Sequence, residues 1–349
     1  MKIILIVYLI TLPQFTVFFT GLTDSVPYSP TFSGENAYAY LLQQCELGPR
    51  LPGSVSLQMC RQLIGSILES AGWNVTFQYF IYRGVNCSNI VAIFGSSSSH
   101  ILVGAHYDTR PMADRDPSPE KRTQPVLGAN DGASGVAVLL ELARCLPVDV
   151  RSSVKLVFFD AEDSGHLDGW EWIRGSTHYV SSLTSSERSQ ITAMILLDMV
   201  GASDLSLLRE LSSTRSLQNK VWELAHGMGY HNVFIDSWGA SILDDHRPFL
   251  DAGIPALDII QHSPFPSYWH TTEDTPDKCS ATSLKIVGDV TETFLVLSIR
   301  QGLVLTETAN YAVLIVIISA TGVVLAMAVV LDPKRRRMIG RRFESFTRN

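Results

Sequence analysis

Short apolar runs that end on a histidine or a carboxylate constrain this chain more than any other feature. Residues 89–94, 101–105, 154–159, 195–197 and 254–260 are brief and rich in Val, Ile, Leu, Ala and Phe, and they read as strands. Residues 133–146, 172–183, 216–228 and 281–299 have helical length and spacing, as do 37–44 and 56–71 ahead of the first strand. The leading pair is separated by the turn-rich Gly48-Pro49-Arg50-Leu51-Pro52-Gly53. Strands alternating with helices predict an α/β fold whose sheet is covered on both faces.

In an open α/β sheet, ligands collect at the carboxyl ends of the strands. Here 101–105 leads into His106-Tyr107-Asp108, 154–159 into Asp160-Ala161-Glu162-Asp163, and 195–197 into Asp198. The run 254–260 leads, beyond a loop, into Trp269-His270-Thr271, and the loop before the helix at 133–146 adds Asn130-Asp131-Gly132. One such Asp taken alone is more often a helix cap or a turn residue. Their joint placement at one sheet edge points to a metal centre.

His106, Asp131, Asp163, Asp198 and His270 are the ligand types zinc takes without cysteine, and a catalytic zinc needs three of them plus an open position. The surplus leaves two arrangements: two ions sharing a carboxylate, or one ion with two residues released to hydrogen bonding. Glu162, beside a candidate ligand, remains available as a base. Asp108, two residues after His106, fits a carboxylate that orients a ligating imidazole.

The ends of the chain carry a second signal. Residues 2–19 are largely apolar and predict a signal peptide or amino-terminal anchor over 1–22. Residues 311–331 carry no charge, and a helix needs about 20 apolar residues to span a bilayer. Lys334-Arg335-Arg336-Arg337, Arg341 and Arg342 follow, so the tail 332–349 is expected to be cytoplasmic and the preceding domain extracytoplasmic, extracellular or lumenal. Residues 30–300 then suffice for one large domain. The net charge of -7 includes that basic tail, which leaves an acidic domain and argues against a nucleic-acid partner.

Cys45, Cys60, Cys87, Cys145 and Cys279 lack zinc-finger spacing, and their odd number leaves at least one outside any disulfide. Asn74-Val75-Thr76 and Asn86-Cys87-Ser88 fit glycosylation acceptors. Residues 110–123, rich in Pro, Asp, Lys and Arg, read as a long polar loop.

The segments HYDT at 106–109, GANDGASGVAVLLELAR at 128–144, FFDAED at 158–163, LLDMVGA at 196–202, DDH at 244–246 and WHTTEDT at 269–275 follow one another in a known order. Through them, over about residues 35–300, the chain resembles a family of zinc-dependent exopeptidases that contains aminopeptidases and glutaminyl-peptide cyclotransferases. The resemblance implies a mixed, mostly parallel central sheet flanked by helices, to which 311–331 would add one transmembrane helix. It implies Asp131, Asp163 and His270 as primary zinc ligands and Glu162 as general acid/base. In the aminopeptidases His106 and Asp198 would hold a second zinc. In the cyclases one zinc is usual, and the counterpart of Asp198 hydrogen-bonds to that of Asp244.

Three details resemble the cyclases. Asp244-Asp245-His246 and Trp269-His270-Thr271 stand where aminopeptidases usually carry Ser-Asp-His and Tyr-His-Thr, and Ser263-Pro264-Phe265-Pro266 precedes the tryptophan. Asp163 departs from animal cyclases, which have Glu there, and the loop at 110–127 looks more like that of bacterial cyclases. The expectation is therefore a cyclase that closes the amino-terminal glutamine of peptides or proteins to pyroglutamate. Glu162, Asp198 and Asp244 would be catalytic, and Trp269 and Phe265 would wall the pocket, with Trp170 and Trp172 as further candidates. An aminopeptidase with two zinc ions is the alternative, and a non-catalytic binding ectodomain is the third reading.

Overall fold

Strands that are apolar on both faces need helices on both sides, and this requirement organises the molecule. A computed structural model describes residues 28–302. Helices α1 (Gly34–Cys45) and α2 (Val55–Ser70) lead into a hairpin of β1 (Asn74–Tyr82) and β2 (Val85–Ile93). Then come β3 (His100–His106), α3 (Ala133–Cys145), the short α4 (Val148–Arg151), β4 (Val154–Phe159), α5 (Arg174–Ser182), α6 (Ser185–Gln190) and β5 (Ile191–Asp198). The chain continues through β6 (Leu207–Arg209), α7 (Arg215–Gly227), β7 (Phe234–Trp238), α8 (Arg247–Asp251), β8 (Ala256–Ile260) and α9 (Ala281–Arg300).

The main sheet has six strands in the order β1-β2-β4-β3-β5-β8. β4, β3, β5 and β8 are parallel, and the β1–β2 hairpin joins them antiparallel at one edge. This is the mixed, mostly parallel sheet the sequence implies. β6 and β7 form a separate parallel pair.

Two apolar layers sandwich the sheet. On one face Leu41, Ile64, Leu139, Val221 and Leu295, from α1, α2, α3, α7 and α9, pack against Val103, Leu156 and Ile195. On the other, Tyr179 and Val180 of α5 and Phe249 of α8 pack against Leu102, Phe159 and Met194. Each fully buried large side chain of this kind contributes about 1.5–3 kcal/mol. Helix α3 is buried from Ala133 to Ala143 because it lies directly on the sheet. Gly135 permits that approach, since a Cβ there would stand 2.1 Å from the carbonyl oxygen of Leu197.

The structure also adds elements beyond those expected. β1 is one of them, and β2 begins at Val85 rather than at residue 89. β1 is an edge strand whose sequence NVTFQYFIY is rich in β-branched and aromatic residues and alternates polar with apolar over 74–78, a strand signature. Its hairpin turns at Arg83 and Gly84 with φ of 49° and 80°, where Asn-Gly or Asp-Gly is the recognisable signal. The helix expected at 172–183 starts at Arg174, and α6, β6 and β7 are further additions.

All five cysteines are free thiols. Asn74 and Asn86 are both exposed. Among the described residues no helix is long and apolar enough to cross a membrane. The leader expected at 1–22, the span at 311–331 and the tail at 332–349 lie outside the described residues.

Candidate active site

The parallel strands point their carboxyl ends to one edge and deliver the expected residues there. His106 ends β3, Asp198 ends β5, Glu162 and Asp163 follow β4, and Asp131 precedes α3. His270 arrives on the loop between β8 and α9. Tight backbone geometry sets several of these positions. Gly132 has a φ of 107°, and a Cβ there would stand 2.5 Å from the carbonyl oxygen of Asp108, so the turn beside Asp131 requires glycine. Ala161, Met199 and His270 have φ of 58°, 45° and 57°, each at or next to a site residue. Left-handed backbone at residues other than glycine costs about 1–3 kcal/mol, and it concentrates at functional sites.

Two overlapping sets of potential ligands result. Asp131, Asp163 and His270 form one, and His106, Asp131 and Asp198 the other, with the donor atoms of each set within 4.8 Å of one another. His270 Nε2 lies 3.2 Å from Asp163 Oδ1 and 3.8 Å from Asp131 Oδ2. His106 Nε2 lies 3.1 Å from both Asp131 Oδ1 and Asp198 Oδ1. Two ligands on one tetrahedral zinc, each about 2.0–2.1 Å from it, stand ~3.3 Å apart. The first set therefore fits a zinc ion in donor type, spacing and burial.

Other buried carboxylates hold these loops in place. Asp108 accepts the backbone N–H groups of Glu162 and Asp163 at 3.0 and 3.1 Å, and stands 3.6 Å from His106 Nδ1. Asp274 accepts those of Asn130 and Asp131 at 2.8 and 3.0 Å. Glu210 accepts the N–H groups of Ser212, Ser213 and Ile242, and so fixes the segment leading to Asp244.

So many carboxylates in one dry place shift one another. Burial pushes Glu162 well above the usual carboxylate range; Asp163, Asp244 and Asp245 push the same way and His106 opposes them. Burial also lifts Asp163 to about 6, with Asp131 adding to the rise and His270 and Arg110 opposing it. Burial would raise Asp131 too, but hydrogen bonding and attraction from His106, with His270 and Arg110, hold it below its ordinary value. Burial drives Asp244 well up, reinforced by Asp198 and Asp245, and drives Asp198 up, reinforced by Asp131 and opposed by His106. His106 itself stays well above its ordinary value despite burial, because Asp108, Asp131 and Asp198 surround it.

A cavity of about 170 Å³ opens onto this edge, lined by both ligand sets' shared Asp131, by Glu162, Asp163, Asp198, Asp244 and His270, and by an aromatic wall. Phe265 and Trp269 stack at 4.0 Å between ring centroids, Trp269 leans on His270 at 3.9 Å, and Trp172 lies parallel to His270 at 6.0 Å. Ile242, Leu243, Met199 and Ile260 complete the lining. A larger hollow, about 560 Å³, lies between α2 and the β1–β2 hairpin and contains neither ligand set.

Every site residue singled out in the sequence thus meets at the cavity or one contact behind it, with two differences. Trp170 packs edge-on against Tyr82 at 5.1 Å instead of lining the cavity. Asp198 bonds to His106 and Asp244 Oδ1 accepts the N–H of Asp245 at 2.6 Å, two contacts not expected from the sequence. Asp245 and Asp274, on loops, and Asp258, within β8, are buried groups of the site that the sequence does not mark.

A mostly parallel sheet that gathers overlapping histidine–carboxylate sets and a separate glutamate at its carboxyl edge defines a zinc exopeptidase-type fold. The chain belongs to peptidase family M28, whose model matches residues 89–295. It is similar to the crystal structure of Porphyromonas gingivalis glutaminyl cyclase, with 32% identity and a TM-score of 0.71 over 76% of this chain and 99% of that one. It is also similar to a Zn-dependent exopeptidase from Parabacteroides distasonis, with 32% identity and a TM-score of 0.70 over 77% and 99% of the two chains. Among curated proteins it is 27% identical to glutaminyl-peptide cyclotransferase from Bos taurus, over 70% of this chain and 77% of that one.

Proposed function

We propose that this chain is a zinc-dependent glutaminyl-peptide cyclotransferase, which converts the amino-terminal glutamine of peptides or proteins to pyroglutamate and releases ammonia. One observation carries the reading: Glu162, outside both ligand sets, shares a small aromatic-walled cavity with a further buried carboxylate, Asp244. The glutaminyl cyclases named above support it.

Asp131, Asp163 and His270 would hold the zinc, which when bound polarises the γ-carbonyl of the substrate glutamine. The remaining chemistry belongs to the chain. An α-amino group with an ordinary pKa near 7.7–8.0 must lose a proton before its nitrogen can attack. From the neutral amine Glu162 takes one of the remaining N–H protons as the new C–N bond forms, and returns it to the amide nitrogen as the old C–N bond breaks and ammonia departs. The upward displacement of Glu162 suits a group that must accept a proton near neutral pH. Asp244 accepts a hydrogen bond from the departing amide nitrogen. Phe265, Trp269 and Trp172 exclude water and confine the substrate side chain.

One zinc per chain is the preferred stoichiometry. His106 Nε2 sits between Asp131 and Asp198, and a proton there balances the two carboxylates without a second ion. The second reading is a two-zinc aminopeptidase, favoured by the fit of His106, Asp131 and Asp198 as a second ligand set. Ammonia release separates the two. The cyclase reading requires ammonia from a Gln-initiated peptide and none from the same peptide begun with Leu; free leucine from the latter supports the aminopeptidase.

The proposal extends to placement. Residues 30–300 would form the catalytic domain outside the cytosol, behind a leader or anchor at 1–22, and 311–331 would span the membrane with the basic tail 332–349 inside. A tail epitope that antibody reaches on intact cells would contradict this topology.

A further inference from the structure

A guanidinium–carboxylate pair in the polar loop after β3 stands directly behind two of the proposed zinc ligands, and neither member belongs to the zinc set or to the chemistry above. Arg110 is 2% exposed. It grips Asp114 with two parallel bonds, Nε to Oδ1 at 2.6 Å and Nη2 to Oδ2 at 3.1 Å. Its remaining Nη1 donates to the Oδ1 and the carbonyl oxygen of Asp163, both at 3.3 Å. Its guanidinium carbon lies 4.8 Å over the ring of Trp172, which in turn lies parallel to His270.

The other end of the pair faces His270. Asp114 Oδ1 lies 3.6 Å from His270 Nδ1, a buried nitrogen with no hydrogen-bond partner. Among the described residues no other carboxylate lies within 4.0 Å of it. A histidine that gives its Nε2 lone pair to a metal carries its proton on Nδ1, and that proton needs an acceptor. The separation exceeds a hydrogen bond by about 0.6 Å, a gap that a small shift of either side chain closes. His106 is built in the same way: its Nδ1 also lacks a partner and also faces a carboxylate, Asp108, at 3.6 Å.

We infer that Asp114 and Arg110 are positioning residues of the zinc site: Asp114 receives the Nδ1–H of His270 and turns Nε2 toward the metal, while Arg110 ties Asp114 to the second ligand, Asp163. A planar fork is suited to this, because it presents two donors to one carboxylate and a third to another. The loop after β3 thereby links His270 and Asp163, ligands carried by separate loops, after β8 and after β4. The inference rests on the assignment of Asp131, Asp163 and His270 as the zinc set.

The test is the zinc affinity of the purified full-length protein, measured by competition with a chromophoric chelator, with the melting temperature of the metal-free form read in parallel. Asp114→Asn should weaken zinc binding by about 10–100-fold, the usual effect of removing such a partner, and should also lower the metal-free melting temperature, because the buried Arg110 loses its charged partner. Arg110→Lys keeps the charge and loses the fork, and should weaken zinc in the same direction. Asp114→Glu keeps the carboxylate and should recover most of the loss. Lys121→Ala, an exposed change in the same loop at the Glu273 ion pair, should leave affinity as it was. Should Asp114→Asn fold poorly, Arg110→Lys supplies the same reading. Affinities within about twofold of the parent for both variants overturn the inference, as does an equal loss in Asp114→Asn and Asp114→Glu. A parent protein that takes up no zinc overturns the metal assignment itself and this pairing with it.

Discussion

Asp198 Oδ1 lies 3.1 Å from His106 Nε2, a separation shared by a hydrogen bond and by two ligands on one tetrahedral ion. The choice between these two states is the choice between one metal and two. The account takes the hydrogen bond, with the proton of His106 in place of a second cation. Metal analysis of active, dialysed protein should then give about one zinc per chain, and His106→Ala should retain that ion. A ratio of two that tracks with activity, accompanied by free amino acids released from peptides, would support the aminopeptidase.

Glu162 and Asp163 are sequence neighbours with divided roles. Asp163 belongs to a ligand set and Glu162 to neither. Glu162→Gln preserves the shape and removes the proton acceptor, so kcat should fall by about 10²–10⁴ while zinc content stays at the parent level. Asp131→Asn should instead lose metal. Loss of zinc from Glu162→Gln would show that the division is drawn in the wrong place.

The crowding of carboxylates fixes how metal-free protein responds to pH. Burial raises Asp163 to about 6 and Asp245 and Asp274 to about 7, with neighbouring carboxylates adding to each. In the unfolded chain such groups titrate near 3.9. Between these values the folded state holds more protons than the unfolded one, so stability must fall as pH rises. Chelator-treated protein should therefore lose melting temperature steadily from about pH 4 to about pH 7. Zinc, which displaces those protons, should restore stability most at the upper end of the range. A metal-free melting temperature that climbs over that window would contradict the reading of this cluster.

The parts of the site that could be read from the sequence are those carried by strands buried on both faces. β3, β4, β5 and β8 show as mainly apolar runs, interrupted by Lys155 in β4 and Asp258 in β8, and the residues at their carboxyl ends follow by position. His270 and Asp131 needed the family pattern as well, because they sit on loops whose course no periodicity reveals. β1 was legible too: Asn74, Thr76 and Gln78 alternate with Val75 and Phe77 and lead into Tyr79-Phe80-Ile81-Tyr82, the pattern of a half-buried strand. Asp114 and Asp274 sit on polar loops and read as solvated, whereas Asp258 lies inside the apolar run of β8; only the folded chain shows Asp258 and Asp274 fully enclosed and Asp114 held by Arg110. The bond from Asp198 to His106 was not legible either, since an imidazole and a carboxylate on separate strands carry no mark of their contact in the sequence.

The most direct measurement follows the mass of a peptide. Purified full-length protein with zinc, incubated with a Gln-initiated peptide, should convert it to a species lighter by one ammonia and resistant to amino-terminal labelling, with chain length unchanged. Shortening of the peptide by one residue, with free glutamine in solution, would contradict the account.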